Sequence, residues 1–160
     1  MKAYARGVLA ILWKDILVEL RTKDILVSVF VFAVLSMVIF SFALRTDRAT
    51  ATLIAPGVLW VAFSFAGILA LNRAFVTERE KGSLEGLLIT PVPRDVIYFG
   101  KMLGSLIFML VAEVVLLPVF VVLFNVPLDL PRLLPIVFLE TLGFAAVGHV
   151  FSAIAVHTRY

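Results

Sequence analysis

The 160-residue chain has no cysteine, only two histidines and few charged side chains. Without cysteine there is no disulfide framework, no thiolate metal site, no C-x-x-C-H haem attachment and no thiol nucleophile. The histidines, His149 and His157, stand eight apart with no third ligand near them, which leaves nothing with the spacing of a zinc site. The single Gly-Lys pair, Gly100-Lys101, is followed by Met102, and Asp95 occupies the place of the first P-loop glycine, so no phosphate-cradling loop is present. Helices with H-E-x-x-H and a G-x-S-x-G elbow are missing as well. An independent enzyme is therefore not expected. Charged residues make up 16% of the chain, against about 25% in a soluble domain. A water-soluble globular protein is thereby excluded, and a net charge of +3 is too small to argue for nucleic-acid binding.

What the chain has is hydrophobicity, 62% of its residues, with a mean hydropathy of +1.12. These residues fall in four long blocks. Residues 25–44 and 53–71 carry no charge, 102–124 is interrupted by Glu113 and Pro118, and 133–156 contains Glu140 and His149. At about 1.5 Å rise per residue, each block crosses a hydrocarbon core of roughly 30 Å. A cleaved signal peptide is disfavoured by Asp15, Glu19 and Asp24 ahead of the first block and by the length of the run. Residues 4–23 read as an amphipathic helix, with Leu9, Trp13, Ile16, Leu17 and Leu20 on one side and Lys14, Asp15, Glu19 and Thr22 on the other. A helix of this kind lies in the membrane interface. The alternative, a plain extension of the first span, is separated from it by whether the chain bends near Thr22 to Asp24. The expected fold is an all-α integral membrane protein, with an interfacial helix over 1–24 and four transmembrane helices.

Lys2, Arg6, Lys14, Arg21 and Lys23 precede the first block, and Arg73, Arg79, Lys81, Arg94 and Lys101 lie in 72–101. The short segments 45–52 and 125–132 hold only Arg45, Arg48 and Arg132. This asymmetry places the N-terminus and the long middle loop in the cytoplasm. Within that loop, Thr77 and Glu80 have capping-box spacing, and Pro91 and Pro93 end the pattern, so a helix is expected over 77–90. Leu84, Leu87 and Leu88 form an apolar stripe, and Glu78, Lys81 and Glu85 a charged face. Gly82 and Gly86 each cost about 1 kcal/mol relative to alanine, so such a helix gains from docking against a partner. A solvated or lipid-lying connector is the other reading.

The stretch Thr77-Glu78-Arg79-Glu80-Lys81-Gly82-Ser83-Leu84-Glu85-Gly86-Leu87-Leu88-Ile89-Thr90-Pro91, followed by Gly100-Lys101, resembles the cytoplasmic loop of type-2 ABC exporter permeases. With Phe32-Ala33-Val34-Leu35, Phe42-Ala43-Leu44 and Ala55-Pro56-Gly57-Val58-Leu59-Trp60, the chain is similar to the haem exporter protein B family, CcmB, of the cytochrome c maturation system. The resemblance implies a non-catalytic permease subunit of the bacterial inner membrane. It also implies ATP hydrolysis on a separate CcmA-like subunit, haem as cargo of the complex rather than a bound cofactor, and CcmC-like companions. Glu78, Arg79, Glu80, Gly82, Leu84, Glu85, Gly86, Leu87 and Leu88 would then couple mechanically to the ATPase. The family has six transmembrane helices, which makes four a departure and a C-terminally incomplete membrane domain the expectation. Export of another substrate, or an ATP-independent proton or ion pathway centred on Glu113, are the alternative functions.

Three polar side chains lie within the spans. Glu113 is close to the bilayer midplane, where an ionised carboxylate costs at least about 2 to 3 kcal/mol, and is expected to be neutral or paired. Glu140 lies nearer the outer end, and His149 is nine residues further on, on the opposite face of a helix, so the two do not form a relay. Gly100 with Gly104, and Gly148 with Ser152, are small residues four apart. They suit close helix packing within the bundle or in a permease dimer.

Overall fold

The computed structural model of the chain describes residues 2–43, 47–80, 86, 89 and 91–157. Among them are five long helices: α1 (Lys2–Thr22), α2 (Asp24–Ala43), α3 (Arg48–Glu80), α4 (Arg94–Phe124) and α5 (Leu130–His157). The last four each contain a stretch long and apolar enough to cross a membrane, Leu26–Ala43, Ala49–Asn72, Arg94–Phe124 and Leu130–Phe151. The fold is thus an all-α, four-span membrane bundle preceded by an amphipathic helix.

Local chemistry sets the helix ends. Lys23 separates α1 from α2 with φ 55°, and its N–H still bonds the Glu19 carbonyl at 2.7 Å, a left-handed residue closing one helix and turning the chain into the next. The corner falls in the Thr22 to Asp24 stretch and makes α1 a separate helix. Asp47 begins α3: its carboxylate accepts the N–H of Ala49 at 3.2 Å and of Thr50 at 3.4 Å. With that cap, α3 starts several residues before the apolar block at Leu53. Pro93 stands at the N-cap of α4 without a side-chain cap, its carbonyl accepting the N–H of Val96 at 3.1 Å and of Ile97 at 3.4 Å, and Asn125 closes α4 in the left-handed region (φ 50°, ψ 40°) with its N–H on the Val121 carbonyl. Pro56, Pro118 and Pro135 all lie inside helices.

The expected helix start at Thr77 is corrected. α3 continues unbroken through Thr77 to Glu80, because no glycine or proline lies between Gly67 and Gly82 to interrupt its backbone ladder. Lys81 to Glu85, Leu87, Leu88 and Thr90 lie outside the described residues, while Gly86 and Ile89 are helical and exposed.

α4 is the hub, packing against α1, α2, α3 and α5. The main core joins Val29, Ala33 and Met37 of α2 to Ala62, Phe63, Ala66 and Ala70 of α3, Met109, Ala112, Leu116 and Phe120 of α4, and Val137 and Ala145 of α5. Alanines at 62, 66 and 70 recur every four residues on one face of α3, which lets its backbone approach its neighbours closely. The outward faces are apolar too: Leu53 is 82% exposed and Val122 80%. Such surfaces are stable against acyl chains and costly against water.

Candidate functional site

Two regions gather the chemistry: the junction of α1 with the start of α4, and a polar contact between α4 and α5 inside the span.

At the junction α1 runs alongside the first turns of α4, residues 7 to 15 meeting 96 to 104 in order. Val8 and Ile11 bury against Val96 and Ile97. Gly100 makes this possible, since a Cβ there would stand 2.9 Å from the Cβ and Cγ2 of Ile11 and 3.2 Å from the Val8 carbonyl. Gly104 faces Leu12 and Asp15 at ordinary van der Waals distance. The Gly100 and Gly104 pair therefore packs on α1. Beside it, Lys101, nearly buried, reaches Asp15 at 3.7 Å, and Asp15 also meets Lys14 at 3.1 Å. Glu19 is 3% exposed and accepts the Leu26 N–H at 2.9 Å, satisfying one of the amides left free at the start of α2. At the other end of α1, loss of water and the neighbouring Asp95 carboxylate, to which Tyr4 donates, hold the Tyr4 phenol above its ordinary pKa.

Asp15 and Glu19 thus turn toward protein, while Leu9, Trp13, Leu17 and Leu20 face outward, Trp13 at 62% exposed. The carboxylates at Asp15 and Glu19 gave no sequence signal of this contact. Gly100 and Gly104 lie on the α4 surface against which α1 sits.

Inside the span, Glu113 is 4% exposed and Thr141 1%. The Thr141 hydroxyl oxygen lies 2.8 and 2.9 Å from the two carboxyl oxygens of Glu113, and 2.7 Å from the Val137 carbonyl one turn back on α5. Glu140, next to Thr141 in sequence, is partly exposed, yet its Oε2 is buried without a hydrogen-bond partner among the described residues. Thr141 is the member of this group that the sequence did not single out, being a neutral residue 28 positions from Glu113.

His149 is buried away from this group, toward the α4 end that begins at Arg94. Its Nδ1 lies 3.0 Å from the Ala145 carbonyl, which can only accept, so Nδ1 carries the hydrogen. The Tyr98 ring meets it edge-on at 6.0 Å, and the Tyr98 hydroxyl donates to the Ala146 carbonyl at 3.2 Å. These contacts tie α4 to α5. One turn of α5 away from Phe144, Gly148 faces Leu71 of α3, while the side chain of Ser152 lies outside the described residues. Glu78, Arg79 and Glu80 form the end of α3, with their side chains outside the description. No group of three metal-ligating side chains occurs among the described residues.

Comparison with known proteins gives a consistent picture. The family model described as CcmB protein matches residues 6–160. The heme exporter protein B of Pseudomonas aeruginosa is 28% identical over 127 residues, covering 79% of this chain and 57% of that protein. That of Paracoccus denitrificans is 26% identical over 151 residues, covering 94% and 69%, and that of Rhodobacter capsulatus is 35% identical over 74 residues, covering 46% and 34%. The chain thus spans roughly half the length of the curated relatives it matches. No solved structure matches.

Proposed function

Because the chain belongs to the CcmB protein family, we propose that it serves as the membrane permease subunit of an ABC-type exporter acting in haem delivery for cytochrome c maturation. The observation that carries this reading is the family match across residues 6–160 of a chain with four membrane-crossing helices. In this role the chain performs no chemistry of its own. A CcmA-like ATPase hydrolyses ATP, the 77–91 segment receives its movement, and haem is cargo of the complex, with CcmC-like subunits alongside. Glu78, Arg79, Glu80, Gly82, Leu84, Glu85, Gly86, Leu87 and Leu88 are the proposed docking residues.

The fold supports a mechanical route. The segment leads directly into α4, which packs on every other long helix, so a push at its start reaches the whole bundle. The proposed site is the inner membrane, with N-terminus and loop cytoplasmic, following the positive residues.

Co-purification of the chain with the ATPase in detergent tests the coupling. Binding is expected to weaken after Glu85→Lys or Leu87→Asp, and unchanged binding in both variants would sink the docking assignment. Loss of holo-cytochrome c in a deletion strain, restored by the wild-type chain, separates haem delivery from export of another cargo. Single cysteines placed at 48 and 94 in this cysteine-free chain test the orientation by their reaction with an impermeant thiol reagent.

A further inference from the structure

We infer that Glu113 is a proton-holding site: it carries a proton at neutral pH and donates it to Thr141, latching α4 to α5 within the membrane. A count of hydrogens around Thr141 leads to this state, independently of the transport reading. Three oxygens surround the Thr141 Oγ1 at hydrogen-bonding distance, the Val137 carbonyl at 2.7 Å and the two Glu113 carboxyl oxygens at 2.8 and 2.9 Å. The two carboxyl oxygens face Oγ1 together and share one hydrogen with it, so the two partner groups, the Val137 carbonyl and the Glu113 carboxyl, call for two hydrogens, and a threonine hydroxyl has one.

The Val137 carbonyl can only accept, and the 2.7 Å contact one turn back is the bond that threonines commonly make within membrane helices. If the Thr141 hydrogen is spent there, the contact with Glu113 lacks one unless the carboxyl supplies it. An ionised Glu113 would instead face an oxygen lone pair across 2.8 Å in a setting 4% exposed. No lysine, arginine or histidine pairs with it among the described residues. The neutral acid satisfies every group: the carboxyl donates to Thr141, and Thr141 donates to Val137. Glu140 is the other acid of this interface, with one oxygen unpartnered among the described residues. It offers no hydrogen bond to hold a proton in place, which assigns the latch to Glu113.

Infrared difference spectroscopy of the full chain in lipid nanodiscs at neutral pH tests this. Wild type minus Glu113→Gln is expected to show the carbonyl stretch of a protonated carboxyl, moving on transfer to deuterium oxide. Wild type minus Glu140→Gln should lack that band. A difference containing only carboxylate stretches, or a band that disappears with Glu140 instead, overturns the assignment. Thr141→Val keeps Glu113 in place and should shift its band upward as the hydrogen bond is lost, with Thr141→Ser leaving it near the wild-type position. An unmoved band in Thr141→Val overturns the latch even if Glu113→Gln does not fold.

Discussion

Replacing Gly100 with alanine separates two effects of opposite sign at the crossing of α1 and α4. Alanine is the better helix former by about 1 kcal/mol. At this position, however, its methyl group would stand 2.9 Å from the Cβ and Cγ2 of Ile11 and 3.2 Å from the Val8 carbonyl oxygen. Those neighbours are the root of a β-branched side chain and a backbone atom, so no rotamer change makes room and α1 has to move off α4. Overpacking of this kind costs about 1 to 3 kcal/mol, which leaves a net loss of about 0 to 2 kcal/mol after the propensity gain. Gly104→Ala is the matched control. Its methyl group would meet Asp15 and Leu12 at 3.6 to 3.8 Å, ordinary contact, so the propensity gain survives. Gly100→Ala is therefore expected to be less stable than Gly104→Ala by about 1 to 3 kcal/mol. Unfolding of both variants in bicelles with increasing SDS measures the difference. A disulfide between cysteines at positions 8 and 96, the only thiols in the chain, reports directly on the crossing and should form less readily in Gly100→Ala. Equal stability of the two alanine variants, with unchanged cross-linking, would refute the close-packed crossing.

Other perturbations follow from the same junction. Glu19→Ala removes the side-chain acceptor of the Leu26 N–H and should cost about 0.5 to 2 kcal/mol, with faster hydrogen exchange in the first turn of α2. Glu19→Gln keeps an acceptor oxygen and should lose less; equal exchange rates in all three proteins would remove the capping role. Asp15→Asn leaves the Lys101 ammonium with a neutral neighbour in a nearly buried place, an expected loss of about 1 to 3 kcal/mol. Lys101→Met removes the buried charge itself and should be milder, so the reverse order would contradict the pairing. Finally, Trp13 in a Trp60→Phe background should be quenched by lipids brominated near the headgroup, since its ring faces away from the protein. Absence of quenching would show that the outer face of α1 is not in lipid.

The spans were legible because each is an apolar run long enough to identify itself, whatever its neighbours do. Their ends were less so. Asp47 and Pro93 extend α3 and α4 beyond the hydrophobic blocks, and helix formation there depends on caps and tertiary support rather than on hydropathy. Thr77 and Glu80 have the spacing of a capping box, yet the same spacing within a running helix carries no start signal, and α3 passes through both. Glu113 could be placed inside the third span from its position in the block alone. Its contact with Thr141 could not, because pairing between antiparallel helices depends on their relative register, which a single sequence leaves open.

The amphipathic helix shows a similar division between what periodicity contains and what it omits. The alternation of Leu9, Trp13, Leu17 and Leu20 with Asp15 and Glu19 is a property of the sequence, but it does not say which side meets protein. In a soluble fold the apolar side would turn inward. Here the bundle is itself apolar on its outside, and the groups that α1's carboxylates meet on it are polar: the Leu26 amide at the start of α2 and the Lys101 ammonium on α4. Burying Glu19 and Asp15 against those groups satisfies them, and Val8 and Ile11 fill the remaining contact. The leucines and Trp13 then lose nothing by facing outward if lipid covers them. Asp15 therefore fastens α1 to the first turns of α4, where the proposed ATPase-facing segment joins the bundle, and Glu19 fastens it to the start of α2. A displacement arriving through that segment would move α1 together with α4 rather than slide one helix over the other.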